Sequence, residues 1–253
     1  MGFKGRVALV TGAGSGMGQR ACERLAAQGA TIAALDVNAE GLERTAASSD
    51  SIHTFTCDVT DWDAVSNVVD KVEADLGPID RMMAAAAIMP SGLAMDMDVA
   101  DYKRVMDIDY LGVVHAVKAT LPRMLDRRSG QQVVFSSLMG FLPTMHLAAY
   151  CAAKFAVRAF FEVTYHENRG RGVQFALVAP PAVQTPLLDQ ATSNPKTLGE
   201  AKILAPDEVL DAIEAGLDKD KFVIGPGQAK GALIAQRLIP DLIWKNMHKI
   251  EGI

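Results

Sequence analysis

Tyr150 and Lys154 stand four residues apart, with Ser137 thirteen residues upstream of the tyrosine. On a helix, that spacing puts the phenol and the ammonium on one face. A free tyrosine titrates near ~10 and is almost wholly neutral at pH 7, but an ammonium beside it favours the phenolate and lowers that value. The pair can therefore serve as a proton acceptor near neutral pH, the chemistry of proton-coupled redox steps. Ser137 follows the apolar run Val133, Val134 and Phe135, which reads as a buried strand delivering a hydroxyl to the same crevice. A Tyr and a Lys at this spacing also describe an ordinary surface pair, so the elements that position them decide between the two readings.

Near the N-terminus, Arg6-Val7-Ala8-Leu9-Val10 runs into Thr11-Gly12-Ala13-Gly14-Ser15-Gly16-Met17-Gly18, followed by a helical stretch from Gln19 to Gln28. Strand, glycine turn and helix is the context a dinucleotide site requires. The glycines permit a tight turn and a close backbone approach to a pyrophosphate at the positive end of the helix, with Ser15 and Met17 beside it. A second apolar strand, Thr31 to Leu35, ends in Asp36, eighteen residues after Gly18, where an acid meets an adenosine ribose. A carboxylate there accepts from both ribose hydroxyls and repels a 2′-phosphate. Ser15, Met17 and Val37 supply no cation to neutralise such a phosphate, so the expected cofactor is NAD rather than NADP.

Together these residues make the chain resemble the short-chain dehydrogenase/reductase family over nearly its whole length. Thr11, Gly12, Gly16 and Gly18 match the family's T-G-x-x-x-G-x-G loop, Ser137 its active-site serine, and Tyr150 with Lys154 its Y-x-x-x-K pair. The resemblance implies that Asp58 and Val59, after the third strand, contact the adenine, that Ala85 and Ala86 join the cofactor wall, and that Pro180 to Thr185, with Val183, lies along the nicotinamide. It also implies that Lys154 holds the nicotinamide ribose, and that the protein is a homodimer or homotetramer. Three departures qualify the match. Ala84-Ala85-Ala86-Ala87 stands where the family writes N-N-A-G, so the wall there should be differently braced. Asp109 stands at the fourth catalytic position, where the family has an Asn; a carboxylate near Lys154 favours the ammonium and blunts its effect on Tyr150. Pro180-Pro181 replaces P-G and stiffens the nicotinamide wall.

Apolar runs alternate with helical stretches along the chain: strands at Arg6 to Thr11, Thr31 to Asp36, Ile52 to Cys57, Ile79 to Ala85, Gln131 to Ser136, Val173 to Val178 and Phe222 to Ile224. That pattern predicts an α/β fold, a doubly wound parallel sheet of about seven strands with helices on both faces, as one domain over 1–253. Between the third and fourth strands, Thr60 and Asp63 read as a capping signal and Trp62, Val65, Val68, Val69 and Val72 as a buried stripe. A net charge of −5 and a pI near 5.5 give no basic stripe, so neither nucleic acid nor an acidic membrane is an expected partner. No segment is long and apolar enough to span a bilayer, and no signal peptide is recognisable. Cys22, Cys57 and Cys151 suit reduced thiols in a cytoplasmic protein. Cys151 beside Tyr150 reads as a small buried residue rather than a reactive thiol, and the scattered histidines lack metal-ligand spacing.

The expected reaction is reversible hydride transfer between a hydrophobic secondary alcohol and its ketone. Tyr150 exchanges the proton, Lys154 tunes it and Ser137 bonds the substrate oxygen. Tyr102, Tyr110 and Tyr165, lacking a lysine four residues on, should only pack. Candidate substrate-side residues are Met89, Leu93, Leu138, Met139, Phe141, Met145, His146, Ala182 and Leu187, with 187–204 as a lid. Apolar residues from Ala229 to Trp244, including Leu233, Ile234, Leu238, Ile239, Leu242 and Ile243, suggest subunit contact or pocket closure. Two rival readings stay open: an NADPH-dependent carbonyl or oxoacyl reductase, and a non-catalytic NAD-binding sensor.

Overall fold

The computed structural model describes residues 3, 5–191, 193, 196, 202–227, 229, 231 and 238–252. Seven strands, β1 (Val7–Thr11), β2 (Thr31–Asp36), β3 (Ile52–Thr56), β4 (Ile79–Ala84), β5 (Gly130–Phe135), β6 (Val173–Val178) and β7 (Val223–Ile224), form one sheet in the order β3-β2-β1-β4-β5-β6-β7. Every pairing is parallel. The order reverses between β1 and β4, and in such a sheet ligands bind at the carboxyl ends of the strands beside that reversal.

Successive strand residues point to opposite faces, and both faces are apolar. Ala8, Val10, Ile32, Ala34, Val133 and Val178 pack on one side with Cys22 and Leu25 of α1 (Gly16–Ala27), Leu42 of α2 (Ala39–Ala46) and Ile213 of a helix at Pro206–Leu217. Val7, Leu9, Leu35, Val134 and Leu177 pack on the other. Their partners are Val69 of α3 (Trp62–Asp75), Val117 of α5 (Gly112–Arg127) and Phe161 of α6 (Ala148–Asn168). Between β4 and α5 lies α4 (Val99–Val105), which runs directly into a widened π-helical turn, Met106–Leu111. After β6 come α7 (Pro186–Asp189), α8 (Pro206–Leu217) and, at the C-terminus, α9 (Pro240–Glu251). Among the described residues no helix is long and apolar enough to cross a membrane.

β2 and β6 have the bounds read from the sequence, β5 is shifted by one residue at both ends, and the other strands differ by one residue at one end. Helix α1 begins at Gly16, three residues earlier than expected, and takes in Gly18, where a Cβ would lie 2.2 Å from the Gly12 carbonyl oxygen. The cap of α3 is Asp61, whose carboxylate accepts from the Ala64 N–H at 3.0 Å, rather than Thr60 or Asp63. The stripe is narrower too. Val65, Val69 and Val72 are buried, Val68 is half-buried, and Trp62 is 40% exposed at the first helical position, where its ring lies edge-on to His115 and beneath the Lys118 ammonium. Tyr110 packs on Phe160 and Tyr165 stacks on Phe222, while the Tyr102 hydroxyl donates to the Ala94 carbonyl.

Candidate active site

A cavity of about 670 Å³ opens at the carboxyl ends of the strands, within the range of small-molecule and cofactor sites. One end is the glycine loop. Gly12 (φ +69°) and Gly16 (φ +53°) adopt left-handed backbone, and a Cβ on Gly12 would lie 2.7 Å from the Ala86 backbone, so loop and β4 wall approach as closely as only glycine allows. Helix α1 starts here with no acid in its first turn and no bond from the Ser15 side chain to its N–H groups. That leaves a positive helix end facing the cavity. The alanine run is braced by Thr11, whose hydroxyl accepts from the Ala85 and Ala86 N–H groups at 3.2 and 3.3 Å. This is the alternative bracing the sequence called for.

Asp36 closes the same end. Its Oδ2 accepts from the Gly14 N–H and its Oδ1 from the Asn38 N–H, both at 2.9 Å. Each oxygen keeps a lone pair for a ribose hydroxyl. Val37, Asp58 and Val59 line the wall beside it. The residues present fit an adenine dinucleotide: a glycine cradle, an open helix N-terminus and an acid beyond it.

The other end holds the reactive groups. The tail of β5 is locked to that of β6 by the Ser136 N–H on the Val178 carbonyl (2.9 Å) and the Leu138 N–H on the Pro180 carbonyl (2.8 Å), which fixes Ser137 at the cavity wall. The Ser137 hydroxyl bonds Tyr150 and accepts from the Met139 N–H at 3.1 Å. Tyr150 and Lys154 share one face of α6, with the ammonium 5.4 Å from the phenol ring centre. Lys154 is 2% exposed. Its Nζ donates to the Phe135 carbonyl at 3.3 Å and lies 3.2 Å from Asp109 Oδ2, and the Ser136 hydroxyl bonds its backbone carbonyl. At least one of its three N–H donors remains for a ligand.

Asp109 is wholly buried in the π-helical turn and is absent from the cavity wall. Its Oδ1 accepts from the Ile88 N–H at 2.9 Å. It acts on the site through Lys154, so its place is behind the reactive residues rather than among them. Burial pushes the Asp109 carboxyl above its ordinary range, although Lys154 and the Ile88 N–H pull it down. Burial works to lower the Lys154 value, but the charges of Asp109 and Tyr150 outweigh it and hold the ammonium above its ordinary value. Tyr150 lies above its ordinary value as well, chiefly through burial; Lys154 and the Ser137 bond oppose this and Asp109 adds to it. Lys154 thus favours the phenolate, as its spacing from Tyr150 predicts, while burial and Asp109 work against it. Cys151 is a buried thiol that burial pushes up, and it bonds the Thr144 backbone.

Gly12, Ser15, Gly16, Met17, Gly18, Ala85, Ala86, Pro180, Val183 and Thr185 all line the cavity, as do Met89, Met139, Ala182 and Leu187 on the substrate side. Leu138 and His146 do not. Leu138 opens a 3₁₀ turn anchored through its backbone to Pro180. His146 sits in left-handed backbone (φ +63°), with its carbonyl accepting from Gly92. Leu93, Phe141 and Met145 are also off the wall; Leu93 is exposed, and the Phe141 ring lies beneath the Arg158 guanidinium. The sequence reading missed Ile88, Leu188, Gln190 and, on the α4 side, Lys103, Arg104 and Asp107. The last three carried a signal in their i, i+4 charge pattern, since Lys103 pairs with Asp107. Gln190 carried none, yet its Oε1 accepts from the Met89 N–H at 2.9 Å and joins the segment after α7 to the loop after β4. Residues 192, 194, 195 and 197–201 of the expected lid, and Leu233 and Ile234 of the apolar tail, lie outside the described residues.

The short chain dehydrogenase family pattern matches residues 6–196. The chain belongs to the short-chain dehydrogenase family of oxidoreductases. It is 34% identical over 218 residues to D-threitol dehydrogenase of Mycolicibacterium smegmatis, spanning 82% of this chain and 84% of that one. It is 32% identical over 230 residues to glycine betaine reductase ATRR of Emericella nidulans, covering 87% of this chain but only 18% of that much longer protein. The fold superposes with a TM-score of 0.86 on a short chain dehydrogenase/reductase from Burkholderia phymatum in complex with NAD, at 24% identity over 97% of this chain and 96% of the other. As a short-chain dehydrogenase, the chain places its Y-x-x-x-K helix and glycine loop on opposite ends of one cavity.

Proposed function

We propose that the protein interconverts a hydrophobic secondary alcohol and its ketone with NAD(H). The observation that carries this reading is the convergence of Ser137, Tyr150 and Lys154 on the cavity that also holds the glycine loop and Asp36. When bound, the nicotinamide supplies the hydride acceptor or donor. The chain's own residues do the rest. Ser137 donates to the substrate oxygen and stabilises charge developing there. Tyr150 removes the hydroxyl proton in oxidation and returns it in reduction. Lys154 directs its remaining N–H at the ribose side of the cavity and holds positive charge beside the phenol.

NAD over NADP is supported by the Asp36 carboxylate and by exposed Val37 beside it. Apart from Lys154 at the reactive end, the cations on the cavity wall, Lys103 and Arg104, belong to α4 and are paired with Asp107 and Asp101. A hydrophobic substrate is supported by Ile88, Met89, Met139, Ala182, Leu187 and Leu188 on the substrate side, interrupted by Gln190. Self-association as a homodimer or homotetramer belongs to the same proposal, consistent with exposed Leu238, Ile239 and Leu242 at α9.

The test is a screen of aliphatic, cyclic, aryl and steroidal secondary alcohols with NAD and with NADP, for the protein and for Tyr150→Phe. Turnover with NAD that falls by about 10²- to 10⁴-fold in the variant, the usual range for a lost acid–base group, with NADH binding retained, is the expected result. Preference for NADP would reverse the reading of Asp36. NADH binding without turnover on any substrate would mark a binding protein instead.

A further inference from the structure

We infer that Asp109 is a positioning residue that draws the charge of Lys154 away from Tyr150, so that the phenol gives up its proton less readily than it would beside a neutral side chain at the same place. This rests on the acid–base role given to Tyr150 above.

The geometry leaves the ammonium shared. Asp109 Oδ2 is 3.2 Å from Lys154 Nζ, whereas the phenol ring centre is 5.4 Å away. The carboxylate is itself fixed by the Ile88 N–H on Oδ1. The neutral amide that the family resemblance places at this position would leave the ammonium's field on Tyr150 uncancelled. With a carboxylate in its place, the phenol faces a buried pair of nearly zero net charge.

Other elements packed around Tyr150 add little. On its own helix the Cys151 thiol is held neutral by burial. Ser137 is an uncharged donor, and β5, β6 and the 3₁₀ turn Leu138–Gly140 contain no ionisable side chain. Within the π-helical turn, Asp107 is paired with Lys103, and Tyr110 packs on Phe160. Arg104 is paired with Asp101 at the exposed rim. On α5, His115 bonds the Val59 carbonyl, Lys118 lies over Trp62, and Arg123 and Arg127 pair with acids of α3. From α7, Leu187 and Leu188 pack in the cluster with Tyr150, and the charged residue of that helix, Asp189, is exposed. The balance at Tyr150 is thus set chiefly by burial and Asp109 on one side and by Lys154 and the Ser137 bond on the other.

In oxidation the active form carries the phenolate, so kcat/KM should climb about tenfold per pH unit until the changeover is reached, while reduction stays level until the same pH. The overall equilibrium ties the two directions together. The informative quantity is therefore the pH at which each profile bends, not their ratio.

Asp109→Asn keeps an oxygen for the Ile88 N–H and removes the charge. Tyrosinate absorbance is titrated in the apo protein, in Asp109→Asn, and in both backgrounds carrying Tyr150→Phe, which subtracts Tyr102, Tyr110 and Tyr165. The pH profiles of oxidation and reduction are measured alongside. The expected result is that the Tyr150 signal and both bends move down together by about one to three pH units, the range for a nearby charge. A Tyr150 titration unchanged by Asp109→Asn overturns the inference. Should that variant fail to fold by circular dichroism, Asp109→Ser carries the same expectation. If no alcohol or ketone is turned over, the functional reading fails while the absorbance titration still decides the role of Asp109.

Discussion

Asp36 makes two hydrogen bonds that need no ligand, to the N–H groups of Gly14 and Asn38. It therefore holds the glycine loop against β2, and under the proposed function its remaining lone pairs would take a ribose. Replacing Asp36 with Ala removes both. NAD binding should weaken by roughly 10- to 100-fold, the loss expected when about 1.5–3 kcal/mol of charge-assisted hydrogen bonding disappears. NADP should lose less, because the same change removes repulsion of the 2′-phosphate. Calorimetric titration of both dinucleotides into the protein and Asp36→Ala checks this, and equal losses for the two would sink it. At this scale the sequence was informative where a residue type has few other uses at its position. Ser137, Tyr150, Lys154 and Asp36 fall into that class. Leu138 and His146 do not, because the direction of a side chain in a tight turn depends on backbone dihedrals: the left-handed φ of His146 has no signature in the identity of that residue.

The elements show why strands were easier to read than helix ends. A strand buried on both faces is a continuous apolar run bounded by polar or glycine residues, and β2 and β6 need no tertiary information to delimit. Caps are degenerate: Thr60, Asp61 and Asp63 are all competent types, and only the geometry of the Ala64 N–H selects Asp61. The π-helical turn is invisible for a similar reason, since its extra residue changes the rotation of the helix and not its composition. Helix α1 carries the clearest test of an element. Gly18 is helical, and its Cβ position is occupied at 2.2 Å by the Gly12 carbonyl, which is backbone and has no side-chain freedom to yield. Gly18→Ala should force loop and helix apart, destabilise the protein by about 1–3 kcal/mol as overpacking does, and abolish NADH binding measured by nicotinamide fluorescence. Gly29 has open space around its Cβ position, though its φ of +90° makes Ala costly there for another reason, backbone strain. Gly29→Ala should lower thermal stability and leave NADH affinity unchanged, which separates a lost binding loop from a weakened fold.

Across the whole molecule, the end of the sheet opposite the cavity is held by a polar chain that the apolar pattern hides. Arg81 in β4 is 1% exposed and forks onto Glu214 of α8 at 2.5 and 3.2 Å. Its Nε donates to Gln131 in β5 at 2.7 Å, Gln131 donates to Gln174 in β6, and Gln174 reaches the Leu217 carbonyl at the end of α8. The Phe3 ring covers the guanidinium, 4.5 Å from its centre. Three strands and a helix are thereby joined at the amino ends of the strands, while the carboxyl ends stay open for ligand. A buried ion pair gains little over a well-packed apolar pair, but removing one partner strands the other. Arg81→Met should therefore cost about 3–5 kcal/mol and lower Tm by roughly 6–20 °C for a chain of this size. Adding Glu214→Gln should return part of that loss, because the stranded carboxylate is then neutral. The coupling energy from the double-mutant cycle is the decisive quantity. A value near zero would mean that the pair is incidental and that Phe3 and the glutamine chain hold this end of the sheet unaided. Both variants, assayed below their melting temperatures, should bind NADH as the unaltered protein does, since no residue of this chain touches the cavity wall.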